Sequence, residues 1–472
     1  MKKFLASIVF SLILFSNTTF ANPIPLRGVI EGFYGKEWTF EERADLMNFC
    51  RLHNLNAYVY APKDDPYHRN KWRKPYPSSQ IEELKKLVEI ANSNGVRFIF
   101  AISPGLDLNY SGKKADEDLK FLMRKIDAVY NIGVRNFAIF FDDLKDKNGN
   151  HREDGKKQAE FLNKLQDKLV ARYGDVEPLI TVPTEYYRLD MVNGRGKVKN
   201  YTEDFAANLN QNIIVLYTGE GVVCDGISEE DFQAARKIYG RDLGIWWNYP
   251  VNDYSLTAGG NRNAKLALGA IEKLPAQNVQ AIFFNPMSQF QLSKIALATG
   301  ADYANAPESY DAEISWNKNI EAQYGRVADA MKIFASHSRH MENDWAKCGP
   351  VDAPEFEAAA QFIISSARTG RSYNPAELSR MIDEMDKAAD ILLKNLTPQY
   401  LAECKPQLEQ FKRIAQADRL ALKSLQNKTL DANLKPLREE ISKHEKSAIL
   451  SEKAALKFID DTINLLDVKK KR

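Results

Sequence analysis

Histidine and cysteine are scarce in this chain. Six histidines and four cysteines are spread over 472 residues. No two histidines frame a carboxylate in a helical zinc spacing, and the cysteines match no zinc pattern. The run Asp146-Lys-Asn-Gly149 superficially suggests a calcium loop. Leu144 stands at its first ligand position and Gly155 at its twelfth, so the pattern fails. No glycine-rich loop ends in Lys-Ser or Lys-Thr, and there is no serine or cysteine elbow, so phosphate-loop and elbow-nucleophile chemistries drop out. Neither a metal nor another cofactor is called for. Past residue 21 no apolar run is long enough to span a bilayer. An excess of one charge is also missing: 65 basic against 63 acidic residues, net +2. That balance gives no reason to expect nucleic acid or a membrane surface as partner. Internal repeats and low-complexity segments are absent.

What is present is 44% hydrophobic and 27% charged, ordinary for a globular protein, and long enough for two or three domains. Residues 1–21 stand apart. Lys2 and Lys3 precede an apolar run from Phe4 to Phe15, and the stretch ends on Ala21. A basic start, a short apolar run and a small exit residue read as a secretory signal peptide, so the protein is expected to be exported, periplasmic or secreted. Cys50 falls on the apolar stripe of a helix and is expected in the core. Cys348 and Cys404 share a later region and could pair. His337 and His340 are expected at the surface of that region.

From Arg27 short apolar strands alternate with amphipathic helices. Strands are expected at Gly28–Phe33, Ala57–Tyr60, Phe98–Ile102, Phe137–Phe141, Leu179–Val182, Ile213–Tyr217, Gly244–Trp247 and Ala281–Phe284. Helices are expected from the capping box Thr39-x-x-Glu42 to about Leu52, and at Ser79–Asn94, Asp116–Tyr130, Gln158–Tyr173 and Glu229–Tyr239. Eight such units in this length predict an α/β fold of the (β/α)8 TIM-barrel type over residues 22–303, with an open doubly wound sheet as the alternative. Ala304–Glu308 reads as a linker. Residues 309–472 lack strand patterns and keep one apolar face at Leu408, Phe411, Ala415, Leu422 and Leu425, which predicts an all-helical C-terminal domain.

Every expected strand runs into polar or glycine residues. The fourth is the most pointed: Phe137 to Phe141 leads directly into Asp142-Asp143. Acids at the carboxyl end of a barrel strand sit where catalytic groups gather, and two neighbours can be driven to different pKa values. The competing reading makes Asp142 a loop cap and Asp143 a solvated acid. With metal, phosphate and elbow chemistry set aside, two carboxylates among tyrosines, tryptophans and amides suit sugar chemistry.

Six motifs in order resemble the family-84 glycoside hydrolases, the β-N-acetylglucosaminidases of O-GlcNAcase type. They are Gly28-Val-Ile-Glu-Gly-Phe-Tyr-Gly35, Tyr60-Ala-Pro-Lys-Asp-Asp-Pro-Tyr-His68, Phe141-Asp-Asp-Leu144, Val182-Pro-Thr-Glu-Tyr186, Trp246-Trp-Asn-Tyr-Pro-Val-Asn-Asp-Tyr254 and Phe284-Asn-Pro286. The resemblance covers about residues 26–300. It implies a retaining mechanism in which the substrate's own acetamido oxygen attacks C1 to form an oxazoline. On the matching positions, Asp142 would polarise the acetamido group and Asp143 would act as acid and then base. The anion of Asp142 would raise the pKa of Asp143, and strand alternation would splay the two acids.

The same resemblance implies that Gly28 and Lys63 contact sugar hydroxyls, with a surface pair between Lys63 and Asp64 or Asp65 as the alternative for the lysine. Tyr186 would support the oxazoline, Trp246 would wall the acetyl pocket, Asn248 and Asn285 would donate to the sugar, and Asp253 would grip its hydroxyls. Tyr217-Thr-Gly219 departs from the family, which often has tryptophan there. The expectation is an exo-acting β-N-acetylglucosaminidase whose partner is a GlcNAc-terminated glycan or glycoprotein. An endo-acting hyaluronidase and a non-catalytic glycan-binding protein are the alternatives.

Overall fold

Side chains along a strand alternate between its two faces, so a strand buried on both sides must be apolar at every position. In β4 (Asn136–Phe140), Ala138 and Phe140 enter the inner cluster, while Phe137 and Ile139 join the outer one. Fully burying such a Phe or Ile contributes about 1.5–3 kcal/mol. The same division holds in β1 (Leu26–Glu31), β2 (Ala57–Tyr60), β3 (Arg97–Ile102), β6 (Ile214–Tyr217), β7 (Leu243–Trp247) and β8 (Val279–Phe284), whereas β5 (Ile180–Val182) gives Ile180 and Val182 to the inner cluster around a buried Thr181. The inner cluster mixes small and large residues, Ala57, Ala101 and Ala281 beside Phe140, Phe283 and Trp246. It is a packed core beneath the strand ends.

The structure, a computed structural model, describes residues 22–144, 154–254 and 261–470. The expected signal peptide and the run Asp146–Gly149 lie outside the described residues. The eight strands are all parallel and close in sequence order, β1 pairing with β2 through Val29 and Tyr58 and with β8 through Val29 and Phe284. The chain is therefore a (β/α)8 barrel, not an open sheet.

Helices α1 (Phe40–Leu52), α2 (Ser78–Ser93), α3 (Gly112–Tyr130) and α4 (Asp154–Tyr173) follow the first four strands. The short α5 (Arg188–Met191) and α6 (Asn200–Asn208) come after β5, and α7 (Glu229–Tyr239) after β6. Local chemistry sets their ends. Thr39 and Glu42 form the expected reciprocal cap on α1. Ser228 caps α7, and Gly240, at φ 62°, stops it in the left-handed conformation that glycine adopts freely.

Four expectations need correction. The stretch Ala304–Glu308 is no loose linker. Helix α8 (Phe290–Asn305) runs through its first residues, a 3-10 turn at Pro307–Ser309 follows, and α9 (Ala312–Tyr324) begins at once. Buried on almost every side, α8 lies between barrel and C-terminal helices, touching β1, α9 and α13 (Pro398–Asn427). The C-terminal region is helical, with α10 (Ala328–Ser336), α11 (Pro354–Thr369), α12 (Ala376–Asn395), α14 (Leu434–His444) and α15 (Ala455–Lys470). It also holds an antiparallel ribbon of β9 (Met341–Glu342) and β10 (Lys347–Cys348), too short to leave a strand pattern. His337 and His340 are buried, because the ribbon and the Ser451 segment cover them. Cys348 and Cys404 are both buried free thiols and do not pair.

The expected α13 stripe is present, with Leu408, Phe411, Ala415, Leu422 and Leu425 all buried. Cys50 is buried in the core as expected.

Candidate active site

The carboxyl ends of the strands surround a pocket of about 250 Å³. Eight of the nine expected site residues line it: Lys63, Asp142, Asp143, Tyr186, Trp246, Asn248, Asp253 and Asn285. Gly28 does not. It lies inside β1, where an added Cβ would fall 1.9 Å from the Ala57 carbonyl oxygen, so it serves close strand packing. The glycine of that motif at the pocket is Gly32, past the strand end and against the Trp246 ring.

The two acids occupy unequal surroundings. The Asp142 side chain is 7% exposed and accepts a hydrogen bond from the Lys63 ammonium on Oδ2. Its Oδ1 is buried, and no donor among the described residues reaches it. The Asp143 side chain is 35% exposed. It accepts from the Tyr34 hydroxyl on Oδ2 (2.7 Å) and from the Tyr186 hydroxyl on Oδ1 (3.1 Å). Neither acid is a loop ornament.

The expected upward shift of Asp143 is not what the free site shows. Burial pushes its pKa up, but the Lys63 ammonium 4.0 Å away, the Tyr34 and Tyr186 hydroxyls and the Arg69 guanidinium outweigh burial and hold it below the usual carboxylate value. The lysine between the acids offsets the charge of Asp142. Strand alternation does not separate them either. The strand ends at Phe140, and Asp143 sits at φ 54°, in the left-handed region.

Lys63 is buried and turned inward, its ammonium near the faces of Trp246 (5.5 Å) and Tyr34 (5.8 Å). The alternative partners face elsewhere: Asp64 is exposed, and Asp65 accepts from Tyr60, Tyr76 and the Tyr67 amide.

One side of the pocket is a chain of amides whose orientation is forced. Trp246 Nε1 can only donate, so the atom of Asn248 facing it at 2.8 Å is Oδ1. Asn285 Nδ2 donates to the same oxygen (2.9 Å), which leaves Asn285 Oδ1 to accept from the Gly32 amide (3.2 Å). Asn248 Nδ2 then donates to the Val222 carbonyl (2.8 Å). Opposite, Asp253 Oδ2 accepts the Tyr34 amide (2.6 Å), and burial moves its pKa up. Among the described residues, no three His, Cys, Asp or Glu side chains converge as metal ligands.

A family model described as beta-N-acetylglucosaminidase matches residues 27–336, and one described as hyaluronidase post-catalytic domain-like matches residues 361–459. The chain belongs to the β-N-acetylglucosaminidase family. The protein O-GlcNAcase of Rattus norvegicus is 33% identical over 285 residues, 59% of this chain. The chain spans only 30% of that relative's length. Among solved structures, CpGH84B shares 35% identity with a TM-score of 0.83, covering 93% of this chain and 77% of that one. A Thermobaculum terrenum O-GlcNAc hydrolase mutant shares 28% identity with a TM-score of 0.79, covering 94% of this chain and 96% of that one.

This family member has site residues that reading the sequence passed over. Tyr34 lies within the first family motif, and Arg69 directly follows the second; both contact Asp143. Trp345 comes from the turn between β9 and β10, is 56% exposed, and meets Tyr254 with ring centroids 5.6 Å apart at the pocket rim. No local pattern could have announced it, because the C-terminal region reaches the barrel rim only through the fold.

Proposed function

We propose that the protein is an exo-acting, retaining β-N-acetylglucosaminidase working by substrate-assisted catalysis. The observation that carries this reading is Asp142, which has one oxygen held by Lys63 and the other buried with no donor among the described residues. A buried carboxylate oxygen without a donor is costly. An acetamido N–H placed in the pocket would supply one. The bond would add negative charge to the amide, sharpen its carbonyl oxygen as a nucleophile, and favour the positive oxazoline that forms at C1.

Asp143 would protonate the departing oxygen and later take a proton from water. Burial is the largest single influence on its pKa, and it acts upward. A bound sugar covering the exposed part of Asp143 would therefore drive it towards the protonated form that an acid requires. Asp253, Lys63, Asn285 and Asn248 line the pocket and would offer a sugar charged and polar groups, with Trp246 lining it as an aromatic wall.

A pocket of about 250 Å³ is on the scale of one sugar ring, which favours a chain end over the middle of a polymer. The name of the post-catalytic family supports the endo-acting hyaluronidase as second reading. Digesting hyaluronan and GlcNAc-terminated glycans separates the two: released monosaccharide supports the exo reading and oligosaccharides the endo one. No release from an aryl β-N-acetylglucosaminide and no cleavage of hyaluronan, despite measurable binding, would leave only the non-catalytic reading.

We also infer export. Support comes from residues 1–21 alone, and a mature N-terminus at Asn22 in the periplasm or medium tests it. No helix among the described residues is long and apolar enough to cross a membrane.

A further inference from the structure

Asp143 sits at φ 54°, in the left-handed region that aspartate enters more readily than most residues but that few residues occupy. One guanidinium grips the residue at both ends. Arg69 Nη2 donates to the Asp143 main-chain carbonyl (3.2 Å), and Arg69 Nη1 donates to the Tyr34 hydroxyl (2.9 Å). Arginine has no acceptor, so the tyrosine oxygen must accept from it. The single Tyr34 hydroxyl proton is then left for Asp143 Oδ2, 2.7 Å away. Arg69 itself is 8% exposed.

We infer that Arg69 is a positioning residue for Asp143, holding its main chain directly and its carboxylate through Tyr34. The inference rests on the acid/base role proposed for Asp143. A rigid planar fork spans two acceptors at once, which the single ammonium of a lysine cannot reproduce. The grip matters most in the step where the Asp143 proton must meet the leaving oxygen.

The test compares Arg69→Met, Arg69→Lys and Tyr34→Phe in the full chain, on an alkyl and an activated aryl β-N-acetylglucosaminide. Arg69→Met should lower kcat/KM for the alkyl glycoside about 10- to 100-fold, the scale of a misplaced catalytic group, and the aryl glycoside far less. Tyr34→Phe should show the same pattern, and the double variant should lose less than the product of the two. Arg69→Lys should fall between Arg69→Met and the unaltered protein. The alkaline limb of kcat/KM should move to higher pH in Arg69→Met, because a cation favouring the Asp143 anion is gone. Equal losses on both glycosides with an unmoved pH profile would overturn the inference.

A crystal structure of Arg69→Met decides the geometry without turnover: Asp143 should leave its left-handed conformation, and an unchanged Asp143 would refute the grip. An unaltered protein inactive on both glycosides would count against the proposed function instead.

Discussion

Lys63 places its ammonium on Asp142 Oδ2 and leaves Asp142 Oδ1 buried without a donor among the described residues. The same ammonium lies 4.0 Å from Asp143 Oδ2. One buried cation therefore holds two neighbouring acids, and the two differ in exposure and in partners. That inequality is what allows adjacent carboxylates to take different parts in one reaction.

Asp143→Asn removes a transferable proton and keeps the shape. Hydrolysis of an alkyl β-N-acetylglucosaminide should fall about 10²- to 10⁴-fold, the usual share of general acid catalysis. An aryl glycoside whose leaving group departs unaided should lose much less in its first step. Steady-state kinetics on both substrates check this, and matched losses would remove the acid role.

Asp142→Asn should behave differently. Removing the anion weakens the acetamido nucleophile before any leaving group departs. Both substrates should then lose kcat/KM by about 10²- to 10³-fold, as when a preorganised charge partner is lost. A selective loss on the alkyl glycoside alone would contradict the assignment.

Two of the three glycines of the first motif, Gly28 and Gly32, should separate stability from chemistry. A Cβ at Gly28 meets backbone, the Ala57 carbonyl, which cannot swing aside. Gly28→Ala should cost at least the roughly 1–3 kcal/mol of an overpacked core and lower the melting temperature. A Cβ at Gly32 meets the Trp246 ring at 2.4 Å. Gly32→Ala must displace the ring of buried Trp246, so it should lower the melting temperature less than Gly28→Ala does and raise KM as the pocket wall shifts. Thermal denaturation and kinetics on the pair read this directly.

Glu403 of α13 accepts from the Gln291 and Leu292 amides (both 3.0 Å) at the start of α8, and burial pushes its pKa up to about 7. A carboxyl raised on folding binds its proton more tightly in the folded state. Its contribution is fully present below the unfolded value near 4.5 and is lost as pH rises through about 7. Relative to Glu403→Gln, the unaltered protein should lose on the order of 1–3 kcal/mol across that window. Denaturant unfolding at pH 4.5 and pH 8 tests the sign, and a gain with rising pH would reverse it.

The barrel was legible because its strands are short, mostly apolar runs, the signature of two buried faces, and because Thr39 and Glu42 mark a helix start by local chemistry. Asp142-Asp143 was legible as a pair at a strand end. These are properties of a few consecutive residues, set by the alternation of a strand, the turn of a helix and the reach of a cap. Which partner Lys63 takes, that Gly32 and not Gly28 meets the pocket, and that the Asp143 carbonyl accepts from an arginine 74 positions earlier were decided only by the tertiary fold. So were the arrival of Trp345 at the rim, the burial of His337 and His340, and the separation of Cys348 from Cys404. Contacts between residues far apart in the chain depend on the register and tilt of every strand between them, and no local stretch of sequence carries that geometry.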